Sequence, residues 1–272
     1  MEELLANPAV QAGVAPFLIA LLAAVALSPL RLGGLAVIAA FLVCMHFVIG
    51  IQFTPLTVTR RILILAIAAA AIGTALDFAL KQTRIGVALI ALAAAGSAIW
   101  VFWPVIVQKP GTQAWLLGAS AAVALAAMVG FAQSQLAGDG VRAGAAGLAT
   151  GLGVGVAAIF AGSNTYGMYG IALGAGSGAF LLPQAVRGKK TFAGSTFTLP
   201  AMLIAGLVAA GAMFLAQLPW YCLLILALVP VGVRLPGPEK GPVWLQAVVF
   251  SLYGLVIAGA ASALAWPSSS QP

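Results

Sequence analysis

Between Val10 and Ala265 the chain breaks into ten apolar runs, most of them close to the roughly 20 residues that a helix needs to cross a hydrocarbon core. The runs extend from Val10 to Leu30, Leu32 to Phe53, Ile62 to Leu80, Ile85 to Val107 and Gln113 to Ala132. They continue from Ala143 to Gly162, Tyr166 to Leu182, Phe197 to Leu215, Leu218 to Val233 and Val243 to Ala265. In lipid every backbone N–H and C=O must be satisfied within the protein, so runs of this kind read as helices. The expected fold class is all-α: a polytopic integral membrane helix bundle of about ten transmembrane helices.

Composition excludes the soluble alternatives. Charged residues are 6% of the 272 and hydrophobic residues 63%, against roughly 25% and 45–50% in a soluble domain. Water could not solvate such a surface, whereas lipid accepts it. The net charge of +7 comes from basic residues that flank the apolar runs, which is the membrane pattern and not a nucleic-acid patch. No nucleic-acid partner is expected; the lipid bilayer is. The N-terminus, Met1-Glu2-Glu3, carries no positive stretch, so the first run is expected to remain as a helix. Cys44 and Cys222 both lie within apolar runs and carry no information on redox compartment. The alanine and glycine content suits a GC-rich bacterial genome, and a bacterial inner membrane is the expected location.

Two runs invite other readings. The ninth is short and contains Pro230, so a tilted, kinked or re-entrant segment is an alternative to a clean span. The first two are separated only around Pro29 to Arg31, and their joint length favours two helices over one.

Alternate loops differ in charge. Nine of the twelve basic residues (Arg31, Lys81, Arg84, Arg142, Arg187, Lys189, Lys190, Arg234 and Lys240) follow the odd-numbered runs. Arg60, Arg61 and Lys109 lie on the other side. The positive-inside rule then puts the basic loops in the cytoplasm and both termini in the periplasm. In that orientation Trp100, Trp103, Trp115, Tyr166, Tyr169, Trp220, Tyr221 and Trp266 fall near the outer interface, and Trp244 near the inner one. They read as an anchoring belt or as an aromatic mouth that meets a ligand. The loops are too short to hold a soluble domain, so residues 1–272 form one transmembrane domain. Its midpoint would divide it into halves 1–136 and 137–272, of opposite topology because each holds five spans.

Few side chains could carry chemistry. Gly147, Gly151 and Gly155 recur at intervals of four, as do Gly170, Gly174 and Gly178, a glycine-zipper spacing that permits close helix packing or borders a cavity. The stretch Gly162 to Tyr169 between them reads either as a turn or as a ligand contact through Asn164, Tyr166 and Tyr169. His46, with Gln52 beyond it, is expected to face the bundle and bond a neighbour; both are candidate substrate contacts. Cys44 and His46 point to different helix faces, and no metal site or cofactor is expected. Asp77 reads as an interfacial ion pair with Lys81 four residues on, or as a coupling carboxylate. Arg60 and Arg61 offer guanidinium groups to anionic lipid headgroups or an anionic substrate, or are a topological exception.

No phosphate-binding glycine loop, metalloprotease motif or histidine set able to hold haem occurs, so no catalytic residues are assigned and an enzyme is not expected. In span count and compactness over the whole chain, the layout resembles the drug/metabolite transporter superfamily, with no motif behind the likeness. That resemblance implies a small secondary transporter or exporter moving a small amphiphilic or anionic metabolite between two halves. The alternative is a non-catalytic membrane subunit, with partner membrane subunits or a homo-oligomer, that scaffolds a larger complex or handles lipid.

Overall fold

The computed structural model describes residues 7–79 and 83–266. Ten helical segments follow one another: α1 Val10–Leu30, α2 Gly33–Ile49, α3 Val58–Ala79, α4 Arg84–Ile106 and α5 Gly111–Gln135. The rest are α6 Gly140–Phe160, α7 Asn164–Arg187, α8 Gly194–Leu215, α9 Trp220–Gly232 and α10 Val243–Ala265. No strand occurs among the described residues.

Seven of these helices are long and apolar enough to cross a membrane, which is compatible with a multi-pass membrane protein. The other three depart from the expected spans for local reasons. α2 stops early because Gly50 takes φ +72°, a conformation open to glycine. α9 is broken at Ala227 and Leu228, just before Pro230, whose missing N–H cannot bond the Leu226 carbonyl. α7 has the length but is rich in glycine and polar residues, which lowers its apolar character.

Turn chemistry sets the helix starts. Asp139 accepts the Val141 and Arg142 N–H groups ahead of α6, at 3.1 and 3.3 Å. Thr83 accepts from Gly86 at 3.0 Å ahead of α4, and Ser163 from Tyr166 at 3.4 Å ahead of α7. Pro110, Pro219 and Pro242 precede α5, α9 and α10.

α8 is the core. Every residue from Gly194 to Phe214 is buried, whereas α1, α3 and α4 bury less than a third of their most apolar stretches. Around α8 pack α3, α5, α6 and α7, and α10 closes on α6. The closest pair is α6 with α7, and the glycine positions explain it. A Cβ on Gly151 would stand 2.7 Å from Gly174 Cα, and one on Gly170 would meet the Gly155 backbone. Where glycine meets glycine no side chain stands between the helices and the two backbones touch, while Leu152, Ile159 and Ile171 pack against the glycines beside them. Gly147 faces Ser177 and Phe197, whereas Gly178 meets only Leu148 at ordinary distance.

Successive helices run in alternate directions, so their connections gather at two ends. At one end Gly194 N–H donates to the Ala137 carbonyl, Lys190 pairs with Asp139, and Arg142 reaches the residues after α9. At the other, Gln217 N–H donates to the Ala161 carbonyl and Phe160 meets Trp266 edge-on at 4.6 Å. The first end is the basic one. Exposed Trp100, Trp103, Trp115, Trp220, Tyr221 and Trp266 belong to the second, but Tyr166 and Tyr169 do not share their exposure. The belt expected from sequence therefore loses both tyrosines to the core, because α7 turns that face onto α2 and α8.

Candidate functional site

The charged groups inside the bundle are held by the backbone of neighbouring helices. Asp77, near the end of α3, accepts from Ser195 N–H at 2.8 Å, Thr196 N–H at 2.7 Å and Thr196 Oγ1 at 2.7 Å. These are N–H groups of the first turn of α8, which have no partner inside their own helix and carry its positive dipole end. The carboxylate thus caps α8 from another helix. Gly194, at φ +61°, leaves the space it needs. Ser195 Oγ donates to Gln133 Oε1 at 2.9 Å, which ties α5 into the same junction. The expected partner, Lys81, lies outside the described residues.

Arg142 is the counterpart at a C-terminus. Its side chain is 2% exposed, donates to the Val233 carbonyl at 2.7 Å and the Leu235 carbonyl at 3.2 Å, and pairs with Glu239 at 3.0 Å. The guanidinium also lies 4.0 Å over the Phe250 ring. It caps the end of α9, where carbonyls are orphaned and a cation suits the dipole.

Arg61 solves a third backbone problem. Pro104 inside α4 cannot donate to the carbonyl four residues back, that of Trp100. Arg61 Nη1 donates to that same carbonyl at 2.8 Å, with the guanidinium 5.3 Å from the Trp100 ring. Arg60 donates to the Pro55 carbonyl at 2.8 Å and to Gln52 Oε1 at 2.7 Å, holding the connection after α2. The two arginines on the less basic side therefore have backbone and amide partners within the protein.

The remaining candidates separate. His46 is exposed on the outside of α2, in an apolar groove of about 520 Å³ with Leu18, Leu42 and Phe47. The sequence expectation that it faces the bundle is corrected: Cys44 and Met45 take the buried face of α2, and His46 falls on the opposite one. Asn164 is exposed at the start of α7. Tyr166 and Tyr169 come together in the core, 6.2 Å apart and edge-on. Tyr169 is 0% exposed and its hydroxyl has no hydrogen-bond partner among the described residues. The structure thus joins the two tyrosines, joins Gln52 to Arg60, and keeps His46, Asn164 and Asp77 apart from both pairs.

Sequence reading missed the structural part of Arg142, and the places of Cys44, Phe41 and Thr59 beside the tyrosines. The proline at 104 was the one usable signal for Arg61. Arg142 has one local partner, Asp139 at 3.8 Å, but the carbonyls it caps lie more than 90 residues away, and nothing local announces them. No group of three or more His, Cys, Asp or Glu that could hold a metal ion occurs among the described residues. No family model matches the chain, and no curated protein matches it.

Proposed function

We propose that this protein is a small secondary transporter or exporter, built from two five-helix halves of opposite topology, that moves a small amphiphilic or anionic metabolite without a catalytic constellation. The observation that carries the reading is the repetition of helix pairings five helices apart. α1 packs on α2 as α6 packs on α7, and α4 packs on α5 as α9 packs on α10. Two of the joins between halves are like with like, α2 with α7 and α3 with α8, alongside the unlike joins of α1 with α7 and α5 with α8. Paired joins of this kind suit a pseudo-two-fold axis, the layout on which transporters alternate access.

The two halves are not packed alike. α6 is packed against both α8 and α10, whereas the equivalent helix α1 leans on α2 and α7. In this reading all ten helices cross a bacterial inner membrane, the two short ones with locally adjusted depth, with basic loops cytoplasmic and both termini periplasmic.

Two experiments test it. Proteoliposomes loaded with a defined mixture of organic acids, amines and aromatic metabolites should lose particular solutes faster than protein-free vesicles, as read by mass spectrometry. Absence of any such flux, with co-purification of other chains at fixed stoichiometry, would instead support the membrane-subunit reading. A C-terminal reporter active only outside the cytoplasm should be active. A cytoplasmic C-terminus would overturn the orientation.

A further inference from the structure

The seam between α2 and α7, at the end opposite the basic one, is closed by rings and not by charge. Tyr169 of α7 meets Phe41 of α2 at 5.8 Å, edge-on, and Tyr166 at 6.2 Å. The Tyr166 ring in turn occupies the space above Gly211 of α8, where an added Cβ would stand 2.7 Å from its Cζ. Cys44, one turn along α2 from Phe41, donates through Sγ to the Met168 carbonyl at 3.6 Å. Three helices therefore converge on two tyrosines, a phenylalanine and a thiol. None of these side chains is ionic.

Within this cluster one group is unsatisfied. The Tyr169 hydroxyl is fully buried with no hydrogen-bond partner among the described residues, although phenylalanine would fill the same space without that cost. A buried phenolic hydroxyl in this condition disfavours the closed seam relative to any state in which it finds an acceptor.

Resting on the transport reading above, we propose that Phe41, Tyr166 and Tyr169 form a gate at this end of a path between α2, α7 and α8. When it opens, the Tyr169 hydroxyl hydrogen-bonds an uncharged or amphiphilic solute. The chemistry excludes a bare ion as the preferred cargo. A charge brought among these side chains would lose its hydration and meet no counter-ion, since Arg61 is held at the α4 carbonyl and Arg142 lies at the opposite end. Aromatic faces with one hydroxyl suit a solute that has an apolar surface and one acceptor. The inference narrows the amphiphilic-or-anionic class to its amphiphilic side.

The test uses Cys44 as reporter, in the full-length protein carrying Cys222→Ser and held in lipid nanodiscs. The probe is methyl methanethiosulfonate, uncharged like the proposed cargo, and intact-protein mass spectrometry follows the rate at which it adds to the single thiol. Cys44 is buried when the seam is closed, so addition reports opening. Tyr166→Ala, which removes the ring over Gly211, should speed addition about tenfold. Tyr169→Phe, which removes the unsatisfied hydroxyl from the closed form, should slow it about tenfold. In the vesicle assay Tyr169→Phe should also depress efflux of the uncharged and amphiphilic solutes. Should Tyr166→Ala fail to fold, Tyr169→Phe decides alone, because it keeps the ring. Cys44 that stays unmodified in folded protein, or a Tyr169→Phe rate within twofold of the parent, overturns the gate. Solute flux with an unreactive Cys44 puts the path elsewhere and leaves the transport reading standing. A reactive Cys44 that obeys both variants without flux for any solute keeps the gate and overturns transport.

Discussion

Replacing Asp77 tests whether the one carboxylate within an apolar span is structural. Asp77→Ala removes the acceptor of two backbone N–H groups and one hydroxyl at the start of α8, in a turn where Ser195 and Thr196 are fully buried. A buried donor left without an acceptor costs about 1–3 kcal/mol, and the two N–H groups have no alternative within their own helix. The Thr196 hydroxyl can rotate to a carbonyl of its own helix, and the alanine no longer desolvates a charge, which offsets part of the loss. The net expectation is about 3 kcal/mol. For a chain of this size that corresponds to a fall of roughly 6–12 °C in the midpoint of thermal unfolding. Because membrane proteins commonly unfold irreversibly, the midpoints are compared in one detergent at one heating rate. Asp77→Asn keeps one oxygen but turns an amide N–H₂ toward the donors, so it should fall between wild type and Asp77→Ala. A midpoint for Asp77→Ala within 2 °C of wild type would refute the capping argument. So would an Asp77→Asn variant that unfolds normally but no longer moves any solute, since that is the behaviour of a coupling carboxylate.

Three more perturbations follow from the same geometry. Arg61→Met should destabilise by about 1–2 kcal/mol alone, but less in a Pro104→Ala background, where residue 104 can donate to the Trp100 carbonyl itself; additive losses in the double-mutant cycle would disprove the link. Gly151→Ala and Gly170→Ala, which drive a Cβ into backbone, should each lower the unfolding midpoint by several degrees. Gly259→Ala, which meets nothing within 4 Å, should be neutral or stabilising by up to about 1 kcal/mol, so equal effects at all three sites would count against the tight seam. Arg142→Met should expose Val233 to Gly241 to faster amide hydrogen exchange and cost about 1–3 kcal/mol. The larger penalty of a broken buried ion pair does not apply, because Glu239 is 68% exposed and can return to water, and Asp139 keeps Lys190 at 3.4 Å. Unchanged exchange in that segment would show that Arg142 does not hold it.

Where the helices lie was legible in the chain itself. The runs Val10 to Leu30 and Val243 to Ala265 coincide with α1 and α10, and the other eight each overlap a helix whose ends differ by up to five residues. Apolar length, glycine, proline and a few capping side chains are local properties, and helix formation in an apolar chain depends on little else. The break in α9 was signalled by Pro230, but the early end of α2 at Gly50 was not anticipated, so the count of spanning-length helices was the weaker part of that reading. What the polar side chains do was a different matter. Asp77 meets Ser195 and Thr196 across 118 and 119 positions, Arg142 meets Val233 across 91, and Arg61 meets Trp100 across 39. Each pairing satisfies a backbone group that a helix end or a proline leaves bare, and which end lies beside which side chain depends on how the bundle is packed. His46 and Tyr169 make the same point in opposite directions. Both are polar residues in apolar helices; packing turned one outward and buried the other, because helix rotation is set by the neighbours that each face can approach. An all-helical apolar chain with its basic residues gathered in alternate loops could be read from residue order alone, because apolar length and flanking charge are local properties. Packing alone settled which of its few polar atoms are spent on helix ends and which, such as the Tyr169 hydroxyl, are buried without a partner among the described residues, because both depend on which helices come to lie side by side.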